Sequence, residues 1–146
     1  MHNNMEQLKL DNQFCFPLYA ASRFITQQYR PMLDKLGVTY PQYLVLLVLW
    51  EKDGIPIKEI TEKLLLETNT ITPLLKRMQT NALIERTRSK EDERVVTISL
   101  TQKGKELQKE AVQIPNELME TLGCLNINKD DMMKVKEVLE KMLKSS

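Results

Sequence analysis

The chain has 146 residues, 42% of them hydrophobic and 28% charged, with a net charge of +1, which fits one globular domain with an extension and no fibrous or low-complexity class. No stretch approaches the run of about 18 uncharged apolar residues that crosses a membrane, and the N-terminus MHNNMEQLKLDNQ lacks the basic-then-apolar order of a signal peptide. A cytoplasmic location is therefore expected, where two cysteines, Cys15 and Cys124, make no structural disulfide framework.

The charge is unevenly spread. Residues 1–53 carry five basic and five acidic groups, residues 57–105 ten and seven, and residues 106–146 six and eight. The middle is thus +3 and the C-terminal part −2, so a polyanionic partner has to be argued from arrangement rather than from total charge.

In chain order, periodicity predicts a helix over about 10–36, carrying Cys15, Tyr19 and Tyr29. A second follows over about 41–53, with Pro41 in its first turn. Its run LVLLVLW, Leu44 to Trp50, is apolar nearly all round and so reads as buried. Ile55, Pro56 and Ile57 suit a short strand. A helix over 57–64 with Ile60 and Leu64 then leads through Leu65–Glu67 to a helix over 69–81, for which Thr68 or Asn69 is the expected N-cap.

That last helix, with the strands after it, is the most telling part of the chain. Ile71, Leu74, Leu75 and Met78 make one buried stripe, leaving Asn69, Pro73, Lys76, Arg77 and Thr80 outward. A polar, basic, short-chained face suits the major groove of DNA, where hydroxyls and amides meet phosphates or base edges and arginine forks onto guanine. Leu83–Arg88 and Val95–Leu100 read as strands around the polar run Ser89–Glu93. Arg94 opens the return strand, where a protruding guanidinium can enter a narrow minor groove.

Two short helices joined by a tight turn and followed by a β-hairpin form a winged helix-turn-helix. The fold expected is mainly α with a small β-sheet wing, flanked by N- and C-terminal dimerisation helices. A helix over 102–121, kinked by Pro115, and another over 129–144 with Met132, Val135, Leu139 and Met142 on one side complete the chain. The expected division is 1–36 for an N-terminal dimerisation helix that carries Cys15, 37–101 for DNA binding, and 102–146 for dimerisation. The apolar stripes of the flanking helices need a partner, and a homodimer would read a pseudo-palindromic double-stranded operator with half-sites about one turn, roughly 34 Å, apart.

With ITPLLKRM, LIERTRSKEDERVVTISLT and VTYPQYLVLLVLWE, the chain resembles the MarR family of winged-helix transcriptional regulators, and within it the OhrR-type sensors of organic hydroperoxides. The resemblance spans residues 10 to about 110. It implies a dimer that binds operator DNA when reduced and lets go when an N-terminal cysteine is oxidised. The matching cysteine is Cys15 and the matching tyrosines are Tyr19, Tyr29 and Tyr40. Thr70, Thr72, Lys76 and Arg77 match the recognition helix, with Asn69 standing where the family has a small residue. Asp92 and Arg94 match the wing, and Arg88 closes its outgoing strand.

Residue chemistry alone reads a cysteine in an apolar helix as inert core, and the resemblance reverses that reading. Attack on a peroxide needs thiolate, and Cys15 has no Lys or His beside it, so tyrosine hydroxyls would have to stabilise the anion. Tyr19, at i+4, could reach it directly. Tyr29 and Tyr40 could do so only through the fold or from a second subunit. Phe14 and Phe16 would favour an organic oxidant over hydrogen peroxide. As in the two-cysteine branch of these sensors, Cys124 of one subunit could trap oxidised Cys15 of the other as a disulfide; a small-molecule thiol is the alternative.

Three competing functions are a regulator released by a small aromatic ligand, a thiol peroxidase in a different class, and a winged domain used only for protein contacts. The lone histidine, His2, is no candidate base or metal ligand, and no phosphate loop, metal-binding spacing or hydrolase motif occurs. No cofactor is expected.

Overall fold

The computed structural model describes residues 4–144. His2 therefore lies outside the described residues, as do the outer ends of the two expected flanking segments. Two 3-10 turns, Asn4–Leu8 and Leu10–Asn12, precede α1 (Cys15–Gln28), α2 (Arg30–Leu36), α3 (Tyr40–Glu51), β1 (Ile55–Pro56), α4 (Ile57–Leu64) and α5 (Thr68–Thr80). After them come β2 (Ile84–Arg88), β3 (Val96–Leu100), α6 (Gln102–Ala111), α7 (Ile114–Gly123) and α8 (Lys129–Lys144). Among the described residues no helix is long and apolar enough to cross a membrane.

The expected helix over 10–36 is broken twice. Its first residues form a 3-10 turn that ends in extended backbone at Gln13, and α1 begins only at Cys15. The second break falls at Tyr29, because Pro31 cannot donate to the Gln27 carbonyl and instead takes the second position of α2, where no donor is required. Gly37, at φ 71°, then closes α2 by donating to the Leu33 and Asp34 carbonyls, a left-handed position that suits glycine.

Thr39 and Gln42 start α3 with a reciprocal capping box, and Pro41 sits in its first turn. Val45, Leu46, Val48 and Leu49 are buried as the apolar run requires, whereas Leu47 is 41% exposed. The helix therefore has an outer face.

The sheet is antiparallel with the order β1-β3-β2. Ile84 stands opposite Leu100, Arg86 opposite Ile98 and Arg88 opposite Val96, so these six side chains share one face. Ile55 pairs with Ile98, but β1 has only two residues because Ile57 already opens α4. Ile55, Ile60, Ile71, Leu75, Met78, Ile84 and Ile98 are almost fully buried, which locks α4 and α5 onto the sheet.

The expected helix over 102–121 is also two helices. Pro115 leaves the Ala111 carbonyl without its helical donor, and the break at Val112–Gln113 places Pro115 at the second position of α7. The chain forms two compact units that divide at Ala111/Val112. In the second, Ile114, Leu118 and Leu122 are buried. Helix α8 has no buried residue, and Val135 and Met142 of its predicted apolar side are exposed.

Candidate functional site

Helix α5 presents the surface the sequence singles out. Ile71, Leu75 and Met78 point into the core, Leu74 is half-buried, and Asn69, Thr70, Pro73, Lys76, Arg77 and Thr80 are exposed. The N-cap is Glu67, with no side-chain cap bond, rather than Thr68 or Asn69. Thr68 is already helical, which leaves its side chain and that of Asn69 on the open first turn. Thr72 is half-buried, and its hydroxyl donates to the Thr68 carbonyl at 2.8 Å. Among the described residues neither Lys76 nor Arg77 has an acidic partner, so their charge is available to an anion.

The loop between β2 and β3 is shaped by two side chains. The Ser89 hydroxyl accepts from the Glu91 and Asp92 amides at 3.3 and 3.4 Å. Asp92 accepts from the Arg94 amide and Nε, both at 3.1 Å, and from Nη2 at 3.4 Å. The Arg94 side chain is 91% exposed, yet this fork fixes its direction. The same bonds, first from the Arg94 side chain and then from its amide, hold the Asp92 carboxyl below the usual carboxylate range. Arg88 reaches back to the Glu93 carbonyl at 3.4 Å.

The thiol region divides. Cys15 is the first residue of α1 and is exposed, as are Phe14, Phe16 and Tyr19. No hydrogen bond joins Tyr19 to Cys15; its ring lies instead under the Arg23 guanidinium, 4.6 Å from the ring centroid. Tyr29 and Tyr40 do come together, with ring centroids 4.8 Å apart, and Tyr43 closes a cluster at 5.9 and 6.2 Å. Burial, with Tyr40 and Tyr43 adding to it, pushes Tyr29 up to about 12, and burial raises Tyr40 and Tyr43 too. All three hydroxyls are therefore protonated at neutral pH, and none of them bonds to another group among the described residues.

This cluster lies at the far end of α1 from the thiol. Helix α1 has 14 residues, so at about 1.5 Å per residue Cys15 and Tyr29 are roughly 20 Å apart. The two halves cannot meet within one chain. Cys124 follows the last residue of α7 in the second unit and is also free and exposed.

The sequence reading missed Tyr43, Arg23 and Trp50. Their signals were present as spacing: Tyr40 and Tyr43 at i+3, Tyr19 and Arg23 at i+4, and Trp50 two turns beyond Tyr43 on α3.

Residues 27–111 match the profile of the transcriptional regulators SarA/Rot. The chain is 48% identical over 145 residues to the organic hydroperoxide resistance transcriptional regulator of Bacillus subtilis, spanning 99% of this chain and 97% of that one. Two solved structures of AbfR, a protein of Staphylococcus epidermidis, are also similar. Reduced AbfR bound to DNA is 36% identical with a TM-score of 0.78, over 99% of both chains. Disulfide-formed AbfR is 33% identical with a TM-score of 0.63, over 97% of this chain and 92% of that one.

Proposed function

Since the chain belongs to the MarR and SarA/Rot winged-helix transcriptional regulators, we propose that it is a homodimeric, DNA-binding regulator that senses organic hydroperoxide through Cys15. The observation that carries this is the separation of Cys15 from Tyr29 and Tyr40 by the length of α1. A thiol without its donors at one end, and protonated tyrosines without acceptors at the other, complete each other when two chains pair. The exposed apolar residues of α1 and α8, Leu18, Phe24, Ile25, Val135 and Val138 among them, are then covered by the second copy.

In the reduced dimer two copies of α5 enter successive major grooves. Lys76 and Arg77 meet phosphates or guanine, Asn69, Thr70 and Thr72 line the first turns, and Arg94, aimed by Asp92 and flanked by Arg88, takes the minor groove. On oxidation the Cys15 thiolate attacks the terminal oxygen of the hydroperoxide. The O–O bond breaks, and the departing alkoxide takes up a proton to leave as the alcohol. The sulfenic acid then condenses with the partner's Cys124 thiol, releasing water and forming a disulfide. The operator is released and the controlled genes are expressed. This assigns the cytoplasm as the site of action and a sensing rather than a catalytic role to the thiol.

A gel shift on the upstream DNA, with and without an organic hydroperoxide and beside a non-reducing gel, tests the proposal. Cys15→Ser is expected to stay on DNA, and Cys124→Ser to lose the covalent dimer. Consumption of more than one hydroperoxide per Cys15 with a thiol donor would instead establish a peroxidase. Release of the Cys15→Ser variant by an aromatic acid would favour the second reading, for which a cleft of about 320 Å³ between Arg30, Asp34, Val38 and Tyr40 offers room for one ring.

A further inference from the structure

We infer that Trp50 is a positioning residue for DNA reading. Its indole ties the tyrosine cluster to the turn that ends α5, so that the setting of α5 follows the state of the cluster. The inference rests on the redox reading above.

Trp50 stands at the end of the aromatic row on α3. Its ring meets Tyr43 edge-on, with centroids 6.4 Å apart and planes at 69°, and Tyr43 touches both Tyr29 and Tyr40. On its other side the indole Nε1–H donates to the Gly104 carbonyl at 2.9 Å. A half-buried indole needs such a partner, and this one lies in the first turn of α6, where the carbonyl's second lone pair is open to it.

That first turn grips the end of α5. The Gly104 amide donates to the Thr101 hydroxyl at 3.1 Å, and that hydroxyl donates to the Ala82 carbonyl at 2.6 Å. The Thr101 amide donates to the Leu83 carbonyl at 3.1 Å, and Lys103 Nζ to the Asn81 carbonyl at 3.1 Å. Three successive carbonyls of the α5–β2 turn are thus held by two residues of one other segment, Thr101 and Lys103. Ala82, at the centre of this turn, has φ 59°, a strained setting for a residue with a Cβ that persists only where its surroundings fix it. Gly104 admits the close approach, since a Cβ there would run into the Leu83 carbonyl oxygen.

The route from the cluster to the recognition helix therefore contains one ring contact and a chain of hydrogen bonds through atoms with no slack. Any shift of Tyr43 that displaces Trp50 pulls on the Gly104 carbonyl. The same pull moves the Asn81–Leu83 turn, on which α5 ends.

Trp50→Phe keeps a ring at this position and deletes the donor. Operator affinity would be measured for full-length reduced and hydroperoxide-treated protein, and their ratio compared. The ratio is expected to fall about fivefold in Trp50→Phe, the worth of one hydrogen bond. Thr101→Val, which cuts the route at its other end, should lower it similarly, and the double variant should fall no further than either single one. Trp50 is the sole tryptophan, so its emission in the wild type without DNA should shift on oxidation and stay still in Cys15→Ser. Release of Trp50→Phe with the wild-type ratio, additive losses in the double variant, or a wild-type emission that stays fixed while DNA is released would each overturn the inference alone. A wild-type protein that hydroperoxide leaves on its operator would sink the redox reading and this one with it.

Discussion

At the scale of single residues, charge and hydrogen bonding decide what each side chain can do. Asp92 contributes by aiming Arg94, so Asp92→Asn should weaken operator binding by about tenfold in a titration, less than Arg94→Ala, because the cation survives while its direction is lost. A depressed carboxyl pKa contributes stability that is present above the ordinary carboxylate range and is lost as pH falls through the lower folded value. The wing pair should accordingly stay intact at a pH that already protonates an ordinary carboxylate. The tyrosines run the other way. With Tyr29 pushed from 10.0 to about 12, the fold favours its neutral phenol, so the contribution of Tyr29 is complete below pH 10 and is lost as pH rises from 10 to about 12. Phenolate absorbance followed beside Trp50 emission should show that alkaline transition, and Tyr29→Phe should diminish it. Of these residues, Arg94, Lys76 and Arg77 were legible in the sequence because an exposed cation needs only a periodicity to place it. The grouping of Tyr29 and Tyr40 with Tyr43 was not, because it depends on the breaks at Tyr29 and Gly37, on either side of α2, which bring the start of α3 to the end of α1.

At the scale of elements, α5, β2 and β3 were legible almost to the residue, since a 3.6-residue period gives way to strands around one polar turn. The long helices at either end were misjudged. Apolar periodicity continues across Pro31 and Pro115, and it is the missing proline donor, not the pattern of side chains, that cuts them. Glu67 took the N-cap position because Thr68 already turns as helix, although its side chain caps less well than the expected Thr or Asn. Close packing also overrules local preference at Gly104. Alanine would favour a helix by about 1 kcal/mol, but its Cβ meets the Leu83 carbonyl oxygen. Gly104→Ala should therefore destabilise the protein by roughly 1–3 kcal/mol in urea unfolding. Leu46→Ala, in the fully buried part of α3, should cost about 2–5 kcal/mol by the same measurement.

At the scale of the whole molecule, both α1 and α8 leave several large apolar side chains exposed. In the paired reading, the thermal midpoint should rise with protein concentration, since dissociation accompanies unfolding. Sedimentation should give twice the chain mass of 17.1 kDa. Operator affinity should fall steeply between 50 and 200 mM salt, by roughly a thousandfold for about six phosphate contacts, despite a net charge of only +1. The separation of Cys15 from Tyr29 by the length of α1 carries a consequence for mixed assemblies as well. In the paired reading, a chain with Cys15→Ser and a chain with Tyr29→Phe should each be defective alone, but a mixed dimer of the two would contain one sensing site with both native groups. A purified mixed dimer of the two should therefore leave the operator on hydroperoxide treatment, whereas the Cys15→Ser homodimer stays bound.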